Sequence, residues 1–470
     1  MSRAVADALL HGALAIGVVV VGGMAARWIS RLTSWKPAGP LLLIAAAPTV
    51  PFVPLAFSVS LDDLLPIVGL VMLAWRSPVP RLTSDRILLV VLVAVAVTFL
   101  VRIASALVNG GDAAGTISML GKAVARPVLL VGIAAYAAAA VPTGLRQRFV
   151  ALSLASVGTF EAVFGLLAFA VRLPGGAGLE AANRLTSLYG VCPGRINGTL
   201  GLSPNHLGAV FVVTLPFTVG LALRQTGSQR WAWGLAAGLQ VAALVLTFTR
   251  SSILVGVAVT LVLLLVHRKV ILLALVAAVS AAFLFVVLSV ACSTPSGGHG
   301  VPGDPVGLVG DRFGDSNDRL ALWYAAAHIT ADHPFFGVGL GQMAATVKAE
   351  PERYGRTPFG FATSSAHNTI LLAGVETGFI GALAAAVINI GLGLVALRCA
   401  WRGLRGHDPL LAAAALAIGG FLVQGMVNNL FEVGVTGVLL ALTAGGFAGR
   451  ADPAEDRADL SDSPTTRDSA

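Results

Sequence analysis

Apolar residues along this chain come in long unbroken runs, not at the spacing of two or 3.6 that marks half-buried strands or amphipathic helices. The runs cover residues 8–26, 40–57, 62–75, 86–108, 117–141, 148–171, 205–223, 231–249, 251–266, 269–291, 367–397, 408–430 and 432–449. A hydrocarbon core about 30 Å thick is crossed by roughly 20 helical residues, so the pattern predicts an all-α, polytopic integral membrane protein with about 12–13 transmembrane helices. The first run has a small-residue end like that of a cleaved signal, but spans follow it at once, so it is read as the first span.

Two runs are interrupted. The second holds Pro48, Pro51 and Pro54, which predicts a kink, or a re-entrant pair with the third. The stretch from Trp231 to Val266 would reach about 54 Å as one helix, too long for one crossing. A break is expected at TFTRSS, which leaves Arg250 at a tight hairpin at one membrane face.

Polar residues gather in a few places. They predict N-terminal spans over 1–291, a large loop over 292–366, C-terminal spans over 367–449 and a tail over 450–470. That tail lacks aromatics and reads as disordered. No internal repeat is evident, which counts against transporter folds built from duplicated halves.

Composition sharpens this picture. Charged residues make up 11% of the 470 and hydrophobic residues 56%, whereas a soluble domain is about a quarter charged. The net charge of +8 does not signal a nucleic-acid partner, because the basic residues cluster between spans. Arg27, Arg31 and Lys36, then Arg76, Arg81 and Arg86, Arg146 and Arg148, Arg224 and Arg230, Arg268 and Lys269, and Arg398, Arg402 and Arg405 all fall on one side. By the positive-inside rule that side is the cytoplasm. The loop 172–204, the Arg250 turn and the loop 292–366 then lie on the outer face. Cys192, Cys292 and Cys399 are too scattered for a zinc site or a disulfide framework. Cys192 and Cys292 share the outer face and could pair, although free thiols are the simpler reading.

Candidate chemistry also concentrates on that face. CPGRINGTLGLSPNHLGAV contributes Arg195, Asn197, Asn205 and His206; the hairpin contributes Arg250; the long loop contributes Arg319 and Trp323, then HPFFGVGLG, then His367 and Asn368. Arginines at a membrane face call for an anion, and guanidinium pairs well with phosphate oxygens. Snorkelling to lipid headgroups is the plain alternative for Arg250, and an ion pair with Asp315 for Arg319. His367 opens the next long apolar run, with Ser364 or Ser365 as its expected N-cap. The positive end of a helix disfavours the imidazolium, so His367 is read as a neutral acceptor of a proton; a histidine bonded to a loop carbonyl is the plain alternative. Gly337, Gly339 and Gly341 lack the last glycine of the dinucleotide fingerprint and follow no strand, so no nucleotide cofactor is expected and close backbone packing is. Asp62 and Asp63 show no metal-ligand spacing, so no metal is expected.

In order and spacing, NGTLGLSPNHLGAVFVVTLP, LTFTRSSILVG, NDRLALWYAAAHITADHPFFGVGLG and SSAHNTILLAGVETGFIG resemble the O-antigen ligase and O-antigen polymerase family of membrane glycosyltransferases. The likeness runs from about residue 195 to 385. The first third is similar only in hydropathy. The resemblance implies a GT-C-like enzyme of the bacterial cytoplasmic membrane with an extracytoplasmic catalytic loop. Its donor would be a saccharide on polyprenyl pyrophosphate, and its acceptor a glycan, lipid, protein or wall polymer. It further implies Arg250, Arg319 and His367 as the catalytic set, without a cofactor; Thr-Arg-Ser stands here where members often have Ser-Arg-Gly. Arg195, Asn205, Trp323 and Asn368 are the expected substrate contacts. A transporter or flippase of a lipid-linked saccharide is the rival reading.

Overall fold

The computed structural model describes residues 3–50, 61–76, 86–110, 113–141, 144–171, 178–179, 196–199, 204–247, 249–268, 307–354, 365–428 and 434–448. Among the described residues the protein is all-α, apart from one short antiparallel pair, β1 (Gly178–Leu179) with β2 (Ile196–Gly198). In chain order the helices are α1 (Arg3–Leu32), α2 (Ala38–Ala45), α3 (Leu61–Arg76), α4 (Arg86–Asn109), α5 (Ala113–Ala140) and α6 (Gly144–Ala170). They continue with α7 (Pro204–Arg224), α8 (Gly227–Leu246), α9 (Arg250–Val266), α10 (Gly307–Asp332), α11 (Met343–Ala349), α12 (Pro351–Tyr354), α13 (Thr369–Gly406), α14 (Pro409–Gly425) and α15 (Gly434–Ala448). Among the described residues, five helices are long and apolar enough to cross a membrane, and five shorter apolar helices accompany them. The polytopic membrane architecture expected from the runs is what the chain adopts.

Both expected interruptions are present. α2 is only eight residues long and gives way to a 3-10 turn, Ala47–Thr49, in which Pro48 occupies a first-turn position where its missing N–H costs nothing. Pro51 and Pro54 lie outside the described residues, as do Cys192, Cys292, Arg195 and the apolar run 269–291. The long stretch breaks where its length requires: α8 ends at Leu246 and α9 begins at Arg250.

Helices come close where residues are small. A side chain at Gly39 would run into the Ala26 backbone of α1, and one at Gly445 into the Ala134 backbone of α5; such close approach is what holds helices together where lipid removes the hydrophobic drive. Polar side chains inside the bundle are bonded. Gln240 Nε2 donates to Thr218 Oγ1 at 2.8 Å, Thr159 Oγ1 at 3.2 Å and Ala155 O at 3.3 Å, joining α8 to α7 and α6.

The expected loop 292–366 contains helices α10, α11 and α12, and these have their own core. Leu322, Ala325, Ala326, Ile329, Met343, Val347 and Tyr354 form it, together with Ala366, Leu372 and Val375. The first two turns of α13 therefore belong to this cap as much as to the bundle. At Gly378 the backbone departs from helix (φ 76°, ψ −168°), so α13 is two helices meeting at a kink. The turn 334–341 seats on that kink: Phe379 N–H donates to Pro334 O at 2.8 Å and Val338 N–H to Val375 O at 2.8 Å. Gly337 has φ 63°, and a side chain there or at Gly378 would strike the backbone of the opposing segment. The close packing expected of these glycines is realised at Gly337.

Candidate active site

Arg250 is the first residue of α9, with no acidic residue in that turn, and its side chain is exposed. A cation there opposes the helix dipole, whose positive end carries about half an elementary charge. The arrangement is unfavourable for α9 alone and favourable toward an anion, since guanidinium and helix N–H groups attract the same partner.

Two further helix N-termini are tied to this point. Thr249, the residue before Arg250, donates from Oγ1 to Asn205 Oδ1 at 3.1 Å, which joins it to the first turn of α7. Ser251, the residue after, accepts from Asn428 Nδ2 at 3.0 Å, and Ser252 accepts from Gln424 Nε2. The turn that supplies Gln424 and Asn428 also holds the start of α13. Asn368 Nδ2 donates to Met426 O at 3.0 Å and Thr369 Oγ1 to Gly425 O at 3.0 Å. The N-termini of α7, α9 and α13 thus converge around residues 424–428, and none has an acid in its first turn.

His367 stands at this junction, half-buried, two residues before α13. Its N-cap differs from expectation. The cap is Asn368, whose Oδ1 accepts from Ile370 N at 3.0 Å and Leu371 N at 3.1 Å. Ser365 instead accepts from His367 N at 3.3 Å. The reason is that His367 takes a left-handed conformation (φ 48°) that delays the helix. The ring therefore leads into α13 instead of sitting within its first turn.

Arg319 and Trp323 lie one turn apart on α10, both half-buried. Leu322 and Ala366, neighbours of Trp323 and His367, belong to the same cap core. Trp323 Nε1 is buried without a hydrogen-bond partner among the described residues. Asn205 and Asn368 each spend the side-chain oxygen inside the protein, on Thr249 and on the α13 cap.

Three charged residues were not anticipated. Arg102 of α4 pairs with Glu376 of α13, Nη2 to Oε2 at 3.2 Å. Glu376 also accepts from Gly341 N at 2.8 Å, and its carbonyl accepts from Ser105 Oγ at 2.6 Å. The carboxylate thereby binds cap, α4 and α13 into one unit. Glu161, fully buried in α6, accepts from Thr199 N at 2.9 Å and from Thr199 Oγ1, while Thr199 Oγ1 also lies 2.6 Å from Pro48 O. The available signal was a charge inside an apolar run, as with Arg102 within 86–108 and Glu161 within 148–171.

Among known families, a model described as O-antigen ligase matches residues 235–386. The match contains Arg250, Arg319 and His367 and leaves out Arg195 and Asn205. No curated protein matches the chain. The chain is thus a multi-pass membrane protein whose residues 235–386 match the model of the O-antigen ligase family.

Proposed function

We propose that the protein transfers a glycan from a polyprenyl-pyrophosphate carrier to an acceptor hydroxyl at the outer face of the cytoplasmic membrane. The observation that carries this reading is the convergence of three acid-free helix N-termini beside Arg250 and His367. Such a place favours a multiply charged anion at a membrane surface, and pyrophosphate on a lipid is that anion.

The reaction follows from the charges. The acceptor oxygen attacks the anomeric carbon as the bond from that carbon to the pyrophosphate oxygen breaks, and the bonding pair leaves with the pyrophosphate. Arg250 and Arg319 stabilise that developing charge, which is the larger barrier term in such transfers. His367 takes the proton of the acceptor hydroxyl. One displacement inverts the anomeric configuration. No step requires a metal. Trp323, whose indole N–H has no partner among the described residues, and Asn205 are proposed sugar or phosphate contacts, with Arg195 on the same anion. Asn368 contributes by fixing the start of α13 beside His367.

Purified protein incubated with a polyprenyl-pyrophosphate glycan and candidate acceptors tests this. Transfer that persists in chelator supports the reading, and polymer growth without a separate acceptor selects a polymerase over a ligase. Carrier movement across vesicles without bond formation would instead favour a flippase.

A further inference from the structure

The turn that seats the cap on α13 carries two phenylalanines in the open: Phe335 is 71% and Phe336 43% exposed. In a water-facing loop this would be a costly placement, since burying one such ring is worth about 1.5–3 kcal/mol. Their position explains it. Pro334 accepts the Phe379 N–H at 2.8 Å, so the turn is fastened at the kink of α13. From that kink onward α13 exposes Phe379, Ile380 and Leu383, the apolar outer face of a membrane-crossing helix. Phe335 and Phe336 therefore extend the lipid-facing surface of α13 upward into the cap.

α10 behaves the same way. Its packed residues Leu322, Ala325, Ala326 and Ile329 define one face, and the opposite face shows Leu320 and Tyr324, both exposed, where a helix in water would carry charge. A tyrosine such as Tyr324, with an apolar ring and a polar tip, settles at the boundary between headgroups and acyl chains, and an exposed phenylalanine ring beside it is sheltered from water by the acyl chains.

We infer that the Phe335–Phe336 turn is inserted in the outer-leaflet interface, so that the cap lies partly in the lipid surface and not above it. The occupant of this apolar face is bilayer lipid. The site beneath the cap then opens at headgroup depth. The inference stands independently of which bond the protein makes.

Photo-crosslinking tests it on the full chain in nanodiscs of labelled phosphatidylglycerol. The substitutions Phe335→p-benzoylphenylalanine and Phe336→p-benzoylphenylalanine should each give lipid adducts at a yield within about twofold of Leu383→p-benzoylphenylalanine on the lipid face. Both should exceed Glu350→p-benzoylphenylalanine, on the exposed polar side of the cap, by at least tenfold. Lipid labelling at Leu383 with none above the Glu350 level at Phe335 and Phe336 would overturn the inference. So would adducts at Phe335 formed with a second copy of the chain. If the photoprobes lower the folded yield, Phe335→Trp replaces them: its added fluorescence should be quenched by brominated lipid and spared by aqueous iodide, and the reverse result counts against insertion.

Discussion

Asn428 and Ser251 lie 177 positions apart and share a hydrogen bond of 3.0 Å, Nδ2 to Oγ. Through it the turn after α14 holds the residue next to Arg250, while the same turn holds Asn368 and Thr369 next to His367. Asn428 thus fixes how far apart the proposed anion-binding and proton-accepting groups stand. Asn428→Ala removes a bond worth about 1 kcal/mol, so the protein should fold to normal abundance. Small displacements of catalytic groups are costly in rate, so the turnover of glycan transfer should fall about tenfold or more, with donor KM changed less than threefold. Equal turnover for Asn428→Ala and wild type would remove Asn428 from this positioning role.

Gly378 and Gly337 should tolerate no side chain. Each has a left-handed φ and faces the backbone of the segment it packs on. Gly378→Ala and Gly337→Ala are expected to cost about 1–3 kcal/mol each, spent on separating the turn 334–341 from α13. Limited proteolysis should show early cleavage in the cap with the bundle intact. Gly341, which has a positive φ but open space around its Cβ position, should be milder on substitution to alanine. The opposite ranking would refute the seating of the turn 334–341 on Gly378.

A pH response belongs to the cap. Asp332 accepts from Tyr354 Oη at 2.8 Å and pairs with Arg353 at 2.7 Å. The tyrosine hydroxyl, ahead of Arg353, holds the Asp332 carboxyl below its ordinary 3.8. Burial, then Asp332, pushes the Tyr354 hydroxyl up to about 12 from 10.0. A depressed carboxyl stabilises above its unfolded value and loses this as pH falls through the lowered one; a raised phenol stabilises below its unfolded value and loses this as pH rises toward about 12. Cap stability should therefore be flat between about pH 4 and 10 and fall outside that window. Amide exchange at Tyr354, whose N–H donates to Glu350 O, should report it. Tyr354→Phe should weaken the acid limb and abolish the alkaline one; an unchanged profile would contradict the assignment.

Glu376 should distinguish charge from shape. Glu376→Ala leaves Arg102 without its carboxylate and Gly341 N–H without an acceptor, and a hydrogen bond to a charged group is worth about 1.5–3 kcal/mol. Glu376→Gln keeps the volume and an acceptor for Gly341. Thermal unfolding in detergent should order wild type above Glu376→Gln above Glu376→Ala. Indistinguishable midpoints would show that the Arg102 pair does not fasten the cap.

Run length and hydropathy made the bundle legible, because lipid demands long apolar helices and little else does. The need for a break between Trp231 and Val266 followed from length, and its place before Arg250 from the polar stretch TFTRSS. The cap was less legible: α10 and its core read as loop because Leu322 and Ile329, two turns apart on one helix face, meet Val375, 46 positions beyond Ile329, only after the chain returns at Ala366. The same reason hid Gln424 and Asn428, polar residues at the end of an apolar run whose partners are 172 and 177 positions away. Asn368 as N-cap depended on the left-handed backbone of His367, which residue type alone does not announce.

Arg250, Arg319 and His367 are proposed to form one transfer site on a lipid pyrophosphate. The most direct measurement is the initial rate of glycan transfer in nanodiscs, with a defined polyprenyl-pyrophosphate glycan, for wild type and for Arg250→Ala, Arg319→Ala and His367→Ala at matched protein level. At least a 100-fold fall is expected for each, about 2.7 kcal/mol of lost transition-state stabilisation. Transfer at the wild-type rate by Arg319→Ala and His367→Ala would contradict it.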